Sequence, residues 1–165
     1  MNEAALIAVA AVSTLRLIEL WIAHRNTAAL LAAGGIELGR GHYPLIVALH
    51  AAWLLAIAAL VPASATISWS LLAVFAGLQV LRLWALLSLG RFWTTRVITL
   101  PGAPLVRRGP YRFLKHPNYL VVAAEIAVLP LAFGAWGIAL VFSLLNAALL
   151  SWRLKIENAA LAQRA

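Results

Sequence analysis

The chain has 165 residues, of which 64% are hydrophobic and only 11% are charged. Soluble domains carry about 25% charged residues, so this composition excludes both an ordinary soluble globule and a disordered chain. The absence of cysteine and aspartate excludes disulfides, thiolate metal sites and Ser-His-Asp triads. The sequence therefore predicts a small integral membrane protein.

Five apolar stretches come close to the roughly 20 residues that a membrane-spanning helix needs. They cover residues 4–23, 44–61, 67–89, 119–133 and 135–152. Alanine and leucine dominate them and no alternating pattern lasts, so each is predicted to be a helix. Arg16 and Glu19 interrupt the first stretch, which favours a mature helix over a signal peptide. The pair Phe133-Gly134 predicts a tight turn that makes the last two helices an antiparallel hairpin.

The basic residues fall on alternate sides of successive helices. Of the 13 Lys and Arg residues, 11 lie in the links after the first and third helices or in the C-terminal tail: Arg25, Arg40, Arg91, Arg96, Arg107, Arg108, Arg112, Lys115, Arg153, Lys155 and Arg164. The positive-inside rule makes that face cytoplasmic and the N-terminus external. The net charge of +8 then reflects orientation and contact with anionic lipids, and we expect no nucleic-acid partner.

Two polar segments lie on this face. Residues 24–43 predict a short interfacial helix and a turn, which would serve as a lid. Residues 90–118 form the longest polar stretch, and their many apolar side chains predict a cap packed on the bundle. Proline is well tolerated in a first helical turn, so the fourth helix is expected to begin near Pro117. Its free N–H groups would then attract an anion.

Polar residues inside the helices have two interpretations. Glu125 lies within the fourth helix, where an ionisable group is costly and is a functional candidate. It would either line a substrate cavity or join a buried ion pair between helices, with Arg82 of the third helix or with Arg16 and Glu19 of the first as partners. Asn146 predicts a hydrogen bond between helices. The scattered histidines His24, His42 and His50 are interpreted as structural or interfacial, and no metal site is expected.

A composite motif near the C-terminus resembles a known family. The run GPYRFLKHPNY at residues 109–119 is followed by the apolar hairpin and then by Arg153 and Glu157, four residues apart. This arrangement resembles the isoprenylcysteine carboxyl methyltransferase family, whose core is shared with membrane phospholipid methyltransferases. The pattern is roughly G-x-Y-x-x-x-R-H-P-x-Y, a helical hairpin and R-x-x-x-E. Two positions depart from it: Lys115 replaces an arginine, and Asn158 stands where many members have a second glutamate.

The resemblance implies an S-adenosylmethionine site on the cytoplasmic face, without a Rossmann domain. It implies a division into residues 1–89, with three transmembrane helices, and residues 90–165, the methyltransferase core. The residues implied to bind the cofactor are Arg96, Ala103, Pro104, Leu105, Val106, Tyr111, His116, Pro117, Asn118, Tyr119 and Glu157. Arg153 matches the arginine that orients the acceptor, and His116 and Glu125 are candidate bases.

The acceptor is expected to be lipophilic and to enter from the membrane. The family default is the carboxylate of a prenylcysteine, and the alternative is a lipidic phenol or pyrone, since the chain looks bacterial and is expected in the cell membrane. Two other classes stay open. A membrane reductase would bind NADPH, because sterol reductases have a similar core, and a packing or scaffold protein would bind neither cofactor. The oligomeric state is not predicted.

Overall fold

The structure, a computed structural model, describes residues 2–162, and within them it has five α-helices and one two-stranded sheet. In chain order the elements are α1 (Glu3–Ala32), β1 (Ile36–Leu38), α2 (Tyr43–Leu60), α3 (Trp69–Leu89), β2 (Val97–Thr99), α4 (Pro117–Leu131) and α5 (Trp136–Ala162). The predicted all-α membrane fold of five helices is confirmed. Arg164, which was assigned to the basic tail, lies outside the described residues.

Four helices are long and apolar enough to cross a membrane by length and composition: α1, α2, α3 and α5. The fourth predicted span, α4, has 15 residues and is therefore only about 22 Å long, less than the roughly 30 Å of a bilayer core. Trp69 and Trp136 begin α3 and α5 and are largely exposed, as expected of side chains that anchor helices at a membrane interface. The chain is a multi-pass membrane protein.

The first helix is longer than predicted. It continues to Ala32, because neither glycine nor proline occurs before Gly34, whose φ of 88° lies in the left-handed region. The predicted interfacial helix of residues 24–43 is therefore wrong as a separate element. Its first part is the last turns of α1, and its second part is β1 followed by a short 3-10 turn at Arg40–His42.

A small antiparallel sheet joins the two polar segments. Strand β1 pairs with β2, with Ile36 opposite Thr99 and Leu38 opposite Val97. Just after β1, Gly39 approaches α5 so closely that a Cβ atom there would lie 2.7 Å from the Ile156 side chain. The link after α1 is thus held between the long loop and the end of α5.

The hydrophobic core closes the end of the bundle where α4 turns into α5. Ile57, Ile126 and Leu129 are completely buried there, and the Trp53 indole donates a hydrogen bond to the Ile126 carbonyl at 3.2 Å. Proline at the first position of α4 sets its opposite end. A second, smaller cluster of Ala23, Ala85 and Trp93 packs near the long loop, and the polar residues of α4 and α5 lie toward that end.

Candidate active site

The two predicted halves of the site meet at the ends of α4 and α5. The Tyr119 hydroxyl donates a hydrogen bond to Glu157 Oε2, and His116 Nδ1 lies 3.4 Å from Glu157 Oε1. Arg153 Nε donates to the Tyr119 hydroxyl at 2.6 Å. These four residues, His116, Tyr119, Arg153 and Glu157, are called the site cluster below. The sequence expectation that they lie together is therefore confirmed by the geometry.

Local structure explains why they converge. Arg153 and Glu157 are one helical turn apart on α5, so their side chains share a face, with Arg153 Nε 3.9 Å from Glu157 Oε2. On α4, the His116 ring stacks on Tyr119 at 5.2 Å between centroids, with the planes 1° apart. The tight turn between α4 and α5 brings these two faces against each other.

The contacts of His116 favour its protonated form. Its Nε2 lies 2.9 Å from Asn158 Oδ1, while its Nδ1 faces Glu157. Both ring nitrogens thus face oxygen atoms, and only an imidazolium can donate to both. The hydrogen bond to Glu157 accordingly raises the pKa of His116, although burial acts in the opposite direction. Nearby, burial raises the pKa of the Tyr111 phenol, which stays neutral at physiological pH.

Arg153 keeps unused hydrogen-bonding capacity. Besides its bond to Tyr119, its Nη1 donates to the Thr95 carbonyl at 2.6 Å. A guanidinium has five N–H donors, so among the described residues three remain without a hydrogen bond. The side chain is nevertheless nearly buried and lines a cavity. It can therefore bind an anion there through a charge-assisted fork.

This cavity, about 510 Å³ in volume, lies between α1 and α2 on one side and α4 and α5 on the other. Its polar end contains Tyr119 and Arg153. Leu17 of α1 and Val47 and Leu55 of α2 line the cavity and are also exposed on the outer surface. Since both helices have the composition of membrane spans, the cavity has an apolar side wall that faces lipid.

Two buried polar atoms at the polar end have no hydrogen-bond partner within residues 2–162. They are Asn118 Oδ1 and Trp93 Nε1, and both side chains line the cavity. Buried polar atoms are rarely left unpaired, because each costs free energy comparable to a lost hydrogen bond. A ligand with polar atoms fits this end.

A second polar group, termed the ion network, joins α1, α3 and α4. Arg82 contacts Glu19 at 2.7 Å and Glu125 at 3.2 Å, and Arg16 contacts Glu19 at 2.8 Å and Glu125 at 3.3 Å. Gln79 Nε2 donates to Glu125 Oε1 at 2.8 Å. The predicted ion-pair partners of Glu125 are thus confirmed. Both of its carboxylate oxygens are engaged, which argues against its use as a base.

The other predicted residues make contacts of their own around the site cluster. Arg96 pairs with Glu37 at 3.2 Å and lies over the Tyr43 ring at 5.1 Å, so it holds β1 against the long loop. Tyr111 packs against the buried cluster of Ala23, Ala85 and Trp93. The residues after β2 follow an irregular path, and their part in cofactor binding stays a prediction: Ala103, Pro104, Leu105 and Val106.

Sequence reasoning did not foresee the positions of three residues around the cavity. The Thr95 carbonyl anchors Arg153, but a backbone contact leaves no signal in the side-chain pattern. His50 lines the cavity together with Tyr43, while its contact with the Ile46 carbonyl is compatible with the structural role assigned to it. The predicted interhelical hydrogen bond of Asn146 is wrong: its side chain is 3% exposed and lines the cavity, without any side-chain partner in the described part of the chain.

These features define a helical membrane protein with a polar site at one end of a lipid-facing cavity. Residues 69–163 match the model of the isoprenylcysteine carboxyl methyltransferase family. The chain is also 40% identical over 150 residues to a protein of Bacillus subtilis strain 168 named "Uncharacterized protein YpbQ", covering 88% of this chain and 89% of the relative. No solved structure gives a significant match. The chain belongs to the isoprenylcysteine carboxyl methyltransferase family, a family of membrane methyltransferases.

Proposed function

We propose that the protein transfers a methyl group from S-adenosylmethionine to an oxyanion on a lipophilic acceptor. The observation that carries the proposal is the position of Arg153. It has N–H groups without a hydrogen bond in the described structure, touches Glu157 and Tyr119 on one side, and lines a cavity with a lipid-facing wall on the other.

The site cluster would hold the cofactor by charge. Glu157 would attract its ammonium or bind its ribose hydroxyls, and the His116 imidazolium with the start of α4 would bind its carboxylate. Tyr111 and Tyr119 offer aromatic faces, and a cation over such a face gains about 0.5–2 kcal/mol. Asn118 would pair its unused oxygen with a cofactor donor. The implied contacts from Pro117, Arg96 and residues 103–106 belong to the same proposal.

Arg153 would bind the acceptor oxyanion and aim it at the methyl carbon. When bound, S-adenosylmethionine supplies a methyl carbon on a positive sulfur, and its transfer to the acceptor oxygen leaves a neutral thioether and a neutral ester or ether. Because charge disappears in this step, a site that excludes water helps it. Fixing the acceptor oxygen in line can contribute several kcal/mol.

The acceptor class is argued from the lack of a free base. Both oxygens of Glu125 are engaged, and both ring nitrogens of His116 are engaged, Nδ1 by Glu157 and Nε2 by Asn158. Neither predicted base is available to deprotonate an ordinary phenol. The structure therefore favours an acceptor that is already ionised at neutral pH, such as a prenylcysteine-type carboxylate or the acidic enol of a pyrone. The active site is proposed to face the cytoplasm of a bacterial cell, where the cofactor is made.

The test uses the purified protein in detergent. Calorimetric titration should show binding of S-adenosylmethionine, and radiolabelled cofactor should methylate a prenylcysteine or an alkylated hydroxypyrone in preference to a matched alkylphenol. Binding of NADPH instead of S-adenosylmethionine would support the reductase alternative. Binding of neither would support a non-catalytic role.

A further inference from the structure

The cavity has polar groups at two levels. On α5, Asn146 and Arg153 are seven residues apart, so they share a face at levels about 10 Å apart along the helix axis. On α2, Tyr43 and His50 repeat this spacing, and all four line the cavity. Leu150 lines it between the two levels. Asn146 and His50, termed the inner pair, therefore lie deeper in the membrane than the site cluster.

Asn146 has an amide that nothing in the described chain satisfies. The side chain is 3% exposed, lines the cavity, and makes no side-chain hydrogen bond with any of residues 2–162. At this depth lipid tails cannot replace the missing partner of an amide, so only water or a ligand in the cavity can pair with it. An amide so placed fits a ligand that reaches this depth and pairs with it.

His50 presents the complementary atom. Its Nδ1 lies 2.8 Å from the Ile46 carbonyl, and a carbonyl can only accept, so Nδ1 carries the proton. In the neutral ring Nε2 is then an acceptor on the side away from the helix backbone. No group among the described residues forms a hydrogen bond with it.

The neighbouring ion network leaves the inner pair a neutral site. Its two arginines and two glutamates cancel in charge and are bound to one another. A ligand at this depth therefore meets no unbalanced charge. Arg16, Glu19 and Arg82 of this network line the same cavity, where they are bound to one another. Beside them the ligand meets one acceptor, His50 Nε2, and the amide of Asn146, which both donates and accepts. A hydroxyl or a secondary amide, which also both donates and accepts, satisfies both residues.

We infer that Asn146 and His50 form a second recognition site for the acceptor. The acceptor carries a neutral hydroxyl or secondary amide about 10 Å from the oxygen that is methylated. This inference rests on the proposed function for the identity of that oxygen. It assigns the best acceptors to lipids with two polar groups and predicts that acids whose tail is plain hydrocarbon, a simple prenylcysteine among them, are used less well than counterparts with a polar group at this depth.

The experiment compares two probes that differ in one group: a long-chain carboxylic acid, and the same acid with a hydroxyl about 10 Å along the extended chain. Binding of each tritiated acid to the full chain in detergent is measured separately from its methylation. The wild type should bind the hydroxy acid about tenfold more tightly. Asn146→Leu and His50→Phe should each bring the ratio close to one. Ser143→Ala should keep it, because Ser143 has a buried, unpaired hydroxyl on the same helix but does not line the cavity.

The outcomes separate the inference from the proposed function. Equal binding of the two acids by the wild type, or a preference that survives Asn146→Leu, would overturn the inference. A hydroxyl preference that depends on the inner pair, without methylation of either acid and without cofactor binding, would support the inference and count against the proposed function. Methylation of both acids with no preference for the hydroxy acid in binding would support the proposed function and count against the inference.

Discussion

The bundle contains two buried polar clusters that look alike in composition and differ in how completely they are paired. In the ion network, every carboxylate oxygen accepts a hydrogen bond from an arginine or from Gln79, and the charges cancel. In the site cluster, Arg153 and protonated His116 exceed Glu157 by one positive charge. Arg153 also keeps N–H donors free of hydrogen bonds within the described residues. Unused hydrogen-bonding capacity, rather than buried charge itself, distinguishes the site cluster from the ion network.

The largest effect is expected from removing one arginine of the ion network, which tests whether complete pairing stabilises the bundle. Arg82→Met should destabilise the protein by about 3–5 kcal/mol, because it leaves Glu19 and Glu125 buried with one cation between them. Unfolding in detergent, followed by circular dichroism, measures the loss. Arg91→Met is the matched control, since Arg91 is exposed and lies over the Phe92 ring. A stability equal to the wild type would mean that the network does not hold α1 to α3 and α4.

Substitutions in the site cluster should lower the rate of methyl transfer rather than the stability of the protein. Arg153→Ala is expected to lower kcat about 10²–10³-fold, the loss typical of removing one positioned donor to reacting charge. Cofactor affinity should change much less, because Glu157 and His116 remain. Single-turnover assays with radiolabelled cofactor separate the two quantities. If Arg153→Ala weakened only cofactor binding, Arg153 would be assigned to the cofactor and not to the acceptor.

Glu157→Gln should weaken cofactor binding about 10–100-fold, since a hydrogen bond to a charged group is worth about 1.5–3 kcal/mol. The glutamine keeps the size of the side chain and removes only its charge. Glu3→Gln, an exposed glutamate at the start of α1, provides the control. Calorimetric titration measures both. An unchanged dissociation constant for Glu157→Gln would remove this residue from the cofactor site.

The smallest expected effect is on pH dependence. Glu157 raises the pKa of His116 above its usual 6.5, so the ion pair is complete below 6.5 and is lost as pH rises through the raised value. Cofactor affinity should accordingly fall several-fold on the alkaline side of that value. Titrations between pH 6 and 9 should show this fall in the wild type and in His24→Gln, whose histidine is exposed. A fall that persists in His116→Gln would assign the titration to another group.

Composition and local pattern were enough to predict the helices and the meeting of α4 with α5. The Phe133-Gly134 turn fixed the direction of the hairpin, and the spacing of Arg153 and Glu157 placed both on one face. The small sheet was missed because β1 and β2 have only three residues each and pair across some 60 positions of sequence. The positions of Asn146 and His50 in the cavity lining could not be predicted, since they depend on where a cavity lies among the helices.

The strand pair has a consequence for how this molecule can be divided. Residues 69–163, which match the family model, contain β2 but not β1, and β2 follows the Thr95 carbonyl that anchors Arg153. Excising those residues would remove the partner of β2, the α1 and α2 walls of the cavity, and half of the ion network. The family segment is therefore not a transplantable module, and chimeras of this protein should exchange the sheet as one piece.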